Sequence, residues 1–151
     1  MGIKEPVPTF SACFGEAFLP LHPFVYAEML EKLCKEHHVK VWLINTGWVR
    51  GPYGVGQRMD LKQTRAIIQG IHDSSLDMSE HQIMRRFQLK VPIKVRGVPS
   101  ELLRPIESWA DKEAYKKASM DLALKFNKNF QRYIGGVPST LIKYGGPNLD
   151  L

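Results

Sequence analysis

The chain has 151 residues, of which 44% are hydrophobic and 24% charged, and its formal net charge is +6. This length and balance are typical of one soluble globular domain with its own core. No apolar run reaches the roughly 20 residues that a membrane span needs, and the N-terminus has no signal-peptide core. We therefore expect a cytoplasmic protein without a membrane partner, with an organelle left open.

The positive charge is concentrated in the second part of the sequence. Residues 1–57 carry five Lys or Arg and five Asp or Glu, whereas residues 58–151 carry sixteen and ten. A moderately basic surface is usually only a solvated one, so we do not expect nucleic acid as a partner. The two cysteines, Cys13 and Cys34, form no CxxC pair, so zinc is not indicated, and we expect both to be buried.

The first half of the chain predicts a helix followed by a strand. From Phe24 onward, Tyr26, Met29, Leu30 and Leu33 recur at helical spacing. The segment VKVWLIN, residues 39–45, is rich in β-branched and large apolar side chains, which predicts a strand buried on both faces. Helix, strand, glycine loop and helix in succession indicate an α/β fold.

The second half predicts two more helices and a short β-segment. Asp60 is placed to cap a helix, with Gln63 three residues on, and residues 72–82 form a polar loop. Residues 87–95 alternate apolar and polar side chains around a proline, which predicts two short strands or an edge strand. Ser108 is the predicted cap of a long helix that ends at Gly135-Gly136, and residues 135–151 are predicted to be irregular.

The stretch NTGWVRGPYGVGQRMDLKQT, residues 45–64, is the strongest candidate for a functional site. Its glycines permit close approaches of the backbone, and the helix start behind them offers unpaired N–H groups to an anion. Arg58 adds a planar cation, and Thr64 could direct a hydroxyl to the same place. The glycine order matches neither the dinucleotide-binding nor the P-loop motif, so a plain strand-to-helix connection competes evenly with a nucleotide site.

Four segments together resemble the C-terminal part of the ATP-dependent phosphoenolpyruvate carboxykinases. They are EPVPTFSACFGEAFLPLHP, VWLINTGWVRGPYGVGQRMDLKQTRAII, GVPSELLRP and SWADKEAY, in the family's order and near its spacing. The resemblance implies a mixed α/β fold in which residues 1–151 are one partial domain, the C-terminal segment of the nucleotide-binding lobe. Nearly the whole chain takes part in the resemblance.

The resemblance also implies an activity and its cofactors. The family converts oxaloacetate and ATP to phosphoenolpyruvate, CO₂ and ADP, a step of gluconeogenesis, and uses Mg²⁺ and Mn²⁺. Matched residue by residue, Arg58, Met59 and Thr64 would contact ATP around its adenine and ribose, and Gly54 and Gly56 would clear room for it. The bare spacing instead suggested an anion at the helix start.

The family's remaining active-site groups have no match in this sequence. Its P-loop, catalytic lysines, metal ligands and oxaloacetate-binding arginine lie upstream of the matched part, so we expect a fragment that is inactive alone. Arg50, Gln57 and Ile106 stand where the family usually has glycine, lysine and arginine. These departures leave open a non-catalytic interaction module or a degenerate copy. A sheet cut from its lobe would expose apolar surface, so we also expect marginal stability or self-association.

Overall fold

The computed structural model describes residues 7–150 and shows a mixed α/β chain of helices with two small sheets. The helices within these residues are α1 (Pro23–Glu36), α2 (Leu61–His72), α3 (Ser100–Leu103), α4 (Pro105–Ser108), α5 (Lys112–Phe130) and α6 (Ser139–Tyr144). The strands are β1 (Trp48–Val49), β2 (Gln57–Arg58), β3 (His81–Met84) and β4 (Leu89–Pro92). The predicted fold class is confirmed.

The described residues divide into two compact units. Residues 7–44 and 125–146 form the first unit, and residues 45–124 and 147–150 form the second. Most of the buried apolar side chains belong to the second unit, whereas α1 in the first unit has no buried residue. The buried side chains of the second unit include Leu76, Val95, Val98, Leu102, Leu103 and Ala123.

Both sheets are antiparallel hairpins. β1 pairs with β2, so that Trp48 lies opposite Arg58, and residues 50–56 form the connecting loop. β3 pairs with β4 around a turn of four residues, with His81 opposite Pro92 and Met84 opposite Leu89. The second hairpin confirms the predicted β-structure near residue 90, but its first strand begins at His81, inside the segment predicted to be a loop.

The strand predicted at residues 39–45 does not form. Neither described sheet includes this segment, and the side chains of Val41 and Leu43 are 73% and 83% exposed. A strand needs a neighbouring strand to satisfy its main-chain groups, and the described strands, two to four residues long, pair with each other instead. The amino-acid composition of residues 39–45 is typical of a strand, but composition does not determine whether a neighbouring strand is available for pairing.

Helix ends show which capping predictions hold. The Asp60 carboxylate accepts the Lys62 N–H at 3.0 Å, which confirms the predicted cap of α2. For the long helix the predicted cap was wrong: Asp111 accepts the N–H groups of Glu113 and Ala114, both at 2.9 Å. Ser108 instead ends α4, where its hydroxyl donates to the Pro105 carbonyl.

Two smaller expectations also differ from the structure. The tail after Gly135, expected to be irregular, contains the short helix α6 within residues 139–144. The two cysteines are not buried, since Cys13 is exposed and Cys34 is half-buried.

Arg50 adopts a backbone conformation that normally requires glycine. Its φ angle is +67°, in the left-handed region, and its guanidinium lies 3.3 Å from the Glu101 carboxylate. An L-residue in this region costs about 1–2 kcal/mol. A partly exposed ion pair returns about 0–1 kcal/mol, so strain remains at this position.

We predict that Arg50→Gly is more stable than Arg50→Ala by about 1 kcal/mol. Both variants lose the ion pair with Glu101, so the difference between them isolates the backbone strain. The free energy of unfolding in urea measures it. Equal stability of the two variants would show that the φ angle of residue 50 carries no strain.

We further predict that Gly56→Ala lowers the free energy of unfolding by about 1–3 kcal/mol. A Cβ at this position would overlap the carbonyl oxygens of Val49 and Gly51, which are rigid backbone atoms. The matched control is Gly15→Ala, where a Cβ meets nothing within 4 Å, and it should change stability by less than about 0.5 kcal/mol. A Gly56→Ala chain as stable as the control would contradict the tight hairpin.

Candidate functional site

Arg58 is held against an aromatic pair on the first hairpin. Its guanidinium lies over the Trp48 ring, 5.8 Å from the ring centroid, and the Tyr53 ring meets Trp48 edge-on at 5.2 Å. The cross-strand register of β1 and β2 produces this arrangement, because Trp48 and Arg58 are directly opposite. All three side chains remain exposed, so the cation contacts a ring and is still accessible to a ligand.

Met59 joins this hairpin to helix α2. Its N–H donates to the Gly47 carbonyl at 2.9 Å, which extends the pairing by one step beyond the two short strands. The residue is half-buried. Because α2 starts at Leu61, Arg58 and Met59 sit immediately ahead of its first turn.

Thr64 lies in the first turn of α2, where it is half-buried. Its hydroxyl donates to the Asp60 carbonyl at 3.2 Å, and this bond uses the only proton that the hydroxyl has. The oxygen can still accept a hydrogen bond. Thr64 is therefore suited to accept from a ligand's hydroxyl or amine, and not to donate to a phosphate.

The two candidate glycines differ in what they do. Gly54 is exposed with a φ of +83°, and a Cβ there would meet nothing within 4 Å. Beside Gly56 the backbone of Val49 and Gly51 already fills the space. Gly56 thus serves the hairpin itself, and its expected role in making room for a ligand stays a prediction.

The start of α2 is already occupied by a carboxylate. The Asp60 side chain takes the Lys62 N–H, one of the unpaired donors that an external anion would use. A second negative group at the same place would meet the charge of Asp60 at short range. A planar, uncharged ring beside Arg58 and Trp48 meets no such repulsion, so the geometry suits a heteroaromatic base better than a phosphate group.

Sequence reasoning did not single out Trp48 and Tyr53 as functional. Their importance depends on the β1–β2 register, and two-residue strands leave no alternating pattern to detect. The sequence signal that could have indicated this contact was an aromatic residue before the glycine-rich turn and an arginine after it. Only the pairing shows that the two side chains meet.

Among residues 7–150, three groups have shifted pKa values, and none of the three belongs to this hairpin. A hydrogen bond from Ser75 lowers the pKa of Asp73, at the end of α2, and one from Ser11 lowers the pKa of Glu16. Burial raises the pKa of the Tyr115 hydroxyl, against the opposing charge of Arg86. Local hydrogen bonds and burial explain all three, so they mark no acid–base catalyst.

The residues present do not fit the two divalent metals that the family resemblance implies. Within residues 7–150, no three His, Cys, Asp or Glu side chains come together in a way that could hold a metal ion. We therefore assign no metal ligand to this part of the chain and derive no step through a metal.

No helix among residues 7–150 combines the length and the apolar composition needed to cross a bilayer.

Comparison with known proteins agrees with the resemblance seen in the sequence. The sequence model of the family described as Phosphoenolpyruvate carboxykinase matches residues 1–101. The protein named Phosphoenolpyruvate carboxykinase (ATP) of Campylobacter lari is 50% identical over 146 residues, which are 97% of this chain and 28% of the relative. The protein of that name from Thermus thermophilus is 46% identical over 144 residues, 95% of this chain and 27% of the relative.

A third relative, from Sulfurimonas denitrificans and also named Phosphoenolpyruvate carboxykinase (ATP), is 51% identical over 132 residues, 87% of this chain and 25% of its own length. The chain thus spans little more than a quarter of the relatives it matches, and the matched part is their C-terminal portion. A family match over most of the chain, at about half identity, establishes its kinship: the chain belongs to the ATP-dependent phosphoenolpyruvate carboxykinase family.

Proposed function

We propose that the chain supplies the nucleoside-binding part of the ATP site of a phosphoenolpyruvate carboxykinase. The complete enzyme would decarboxylate oxaloacetate and phosphorylate the product with ATP, giving phosphoenolpyruvate, CO₂ and ADP. The observation that carries this proposal is the position of the Arg58 guanidinium over the Trp48 ring in a chain of this family. Arg58, Met59 and Thr64 are its proposed contacts with ATP.

Arg58 would bind the adenine by stacking its guanidinium on the base. A guanidinium is planar and weakly hydrated, so it covers an aromatic ring at low desolvation cost. Its contact with Trp48 restricts the side chain before any ligand arrives, which reduces the entropy lost on binding. Tyr53 supports Trp48 from its edge and so acts on Arg58 indirectly.

Met59 and Thr64 would complete the site around the base and the ribose. Met59 offers a flexible apolar side chain at the junction with α2, and the Thr64 oxygen can accept a hydrogen bond from a sugar hydroxyl. The phosphates would point away from Asp60, whose carboxylate caps α2. Phosphoryl transfer itself requires cations and metals around the migrating group, which we assign to the rest of a family enzyme.

A non-catalytic role for the chain is the second candidate. Arg50 stands where glycine is usual in the family, and it directs its guanidinium to Glu101 while it keeps a left-handed backbone. Such a substitution strains the loop that carries the proposed site. This would suit a degenerate copy that binds a partner without turnover.

We predict that Arg58→Ala weakens binding of both ATP and adenosine about 5- to 30-fold, since a desolvated cation–ring contact contributes about 1–2 kcal/mol. Calorimetric titration measures both ligands. Arg85→Ala, which removes an exposed arginine from the turn between β3 and β4, is the control and should bind as the unaltered chain does. Equal affinities of the two variants would remove Arg58 from the site, and a loss confined to ATP would move Arg58 to the phosphates.

The chain alone should not form phosphoenolpyruvate from oxaloacetate and ATP. Its described residues contain no metal cluster, and chemistry of this kind depends on metal ions for charge neutralisation. A coupled assay for phosphoenolpyruvate, with added Mg²⁺ and Mn²⁺, measures the rate. Steady turnover well above a protein-free blank would refute the incomplete-site proposal, whereas nucleotide binding without turnover agrees with it.

A further inference from the structure

The second unit contains a cavity between the β3–β4 hairpin and helices α3, α4 and α5. Its volume is about 450 Å³, which is in the range of pockets that hold small organic ligands. The lining combines apolar and basic side chains. The apolar members include Leu103 and Ile106, and the basic members are Arg85, Arg86, Arg104 and Lys116.

Arg104 carries a buried donor that has no partner. Its Nη1 pairs with the Glu107 carboxylate at 2.8 Å. Its Nε–H is buried, and no acceptor within residues 7–150 receives it. Buried N–H groups are nearly always hydrogen-bonded, because an unsatisfied one has lost its water without any replacement. An acceptor atom on a bound ligand would supply the hydrogen bond that this group lacks.

Arg86 brings a second guanidinium to the cavity and is held there by the chain. Its Nη1 donates to the Asn148 carbonyl at 3.2 Å, and the Asn148 N–H donates to the Arg86 carbonyl at 2.7 Å. Both bonds are to uncharged groups, so they hold Arg86 without neutralising it. The charge of Arg86 also acts on the Tyr115 hydroxyl, and Tyr115 lines the same cavity. Arg86 is therefore positioned to attract an anion into this space.

We propose that the cavity binds a small organic carboxylate with an apolar body, and that Arg104 and Arg86 hold its carboxylate. A guanidinium presents paired N–H groups that match the two oxygens of a carboxylate. Leu103 and Ile106 would cover the apolar body. Glu107 also lines the cavity, and its charge disfavours a doubly charged phosphate more than a single carboxylate. The cavity adjoins the β3–β4 hairpin and not the β1–β2 hairpin, so the proposal does not depend on ATP binding.

The test is a titration of the isotope-labelled chain with phenylacetate, followed through the NMR shifts of the backbone amides. We expect a saturable response in residues 82–86, 103–107 and 115–119, which include the lining of the cavity. Phenylacetamide, the neutral analogue, should bind at least about tenfold more weakly, because it lacks the charge that the guanidinium groups recognise. Inorganic phosphate should also bind at least about tenfold more weakly, because it has no apolar body.

Three outcomes of this titration would overturn the proposal. The first is the absence of a saturable response in these residues. The second is equal affinity for phenylacetate and phenylacetamide, which would show that the guanidinium groups do not recognise the ligand. The third is phosphate binding as tight as that of phenylacetate, which would assign an inorganic anion to the cavity.

Substitutions locate the bound carboxylate. Arg104→Gln should weaken phenylacetate binding at least about tenfold. Ile106→Glu is a second test that keeps the ion pair between Arg104 and Glu107, and it should weaken binding by placing a negative charge beside the ligand. Because Ile106 is 38% exposed, this variant should keep the melting temperature of the unaltered chain. The matched control is Arg65→Gln, an exposed arginine on α2 outside the cavity, which should bind normally.

Two outcomes with these variants would contradict the assignment. Normal binding by Arg104→Gln or by Ile106→Glu would remove the ligand from the cavity. Equal weakening by Arg65→Gln would indicate attraction by net charge alone. ATP titration of Ile106→Glu separates this proposal from that of the ATP site, since the substitution leaves Arg58 and its aromatic neighbours unchanged.

Discussion

The close approach of the backbone at Gly56 is the constraint on which the proposed site depends. Residue 56 passes the carbonyl groups of Val49 and Gly51 with no space for a side chain. This contact closes the loop between two strands that are otherwise too short to hold each other. Closing this loop sets the register that places Arg58 opposite Trp48. The absence of a side chain at Gly56 therefore determines the position of the Arg58 guanidinium.

Local capping chemistry was the part of the fold that the sequence could predict best. Asp60 caps α2 as expected, because a cap needs only a carboxylate and the next few N–H groups. Helix α1 also begins where the apolar periodicity begins, within one residue of Phe24. Before the long helix the sequence predicted Ser108 as the cap, but Asp111 caps it in the structure. A short intervening helix determined the outcome.

Features that depend on distant residues could not be predicted in the same way. Residues 39–45 have the composition of a buried strand, but the described residues provide no sheet to receive it. The β1–β2 hairpin is the opposite case, because its strands form but were not predicted. Each strand has two residues, too few for a periodic pattern, so both were interpreted as loop. For the candidate site, the resemblance predicted Arg58, Met59 and Thr64 as contacts with ATP, and this stays a prediction. The contacts of Trp48 with Arg58 and Tyr53 required the structure.

The electrostatics of the helix start explain why a glycine-rich loop ahead of a helix need not be a phosphate site. The positive end of a helix attracts anions, and an isolated helix start would do so here. In this chain the carboxylate of Asp60 already binds at that end and brings a full negative charge with it. The Asp60 carboxylate thus satisfies this attraction from within the protein, and the guanidinium of Arg58 lies over the Trp48 ring. In the proposed site, a nucleotide that satisfies both groups would place its base on Arg58 and turn its phosphates away from α2, toward cations that another part of the family enzyme would provide.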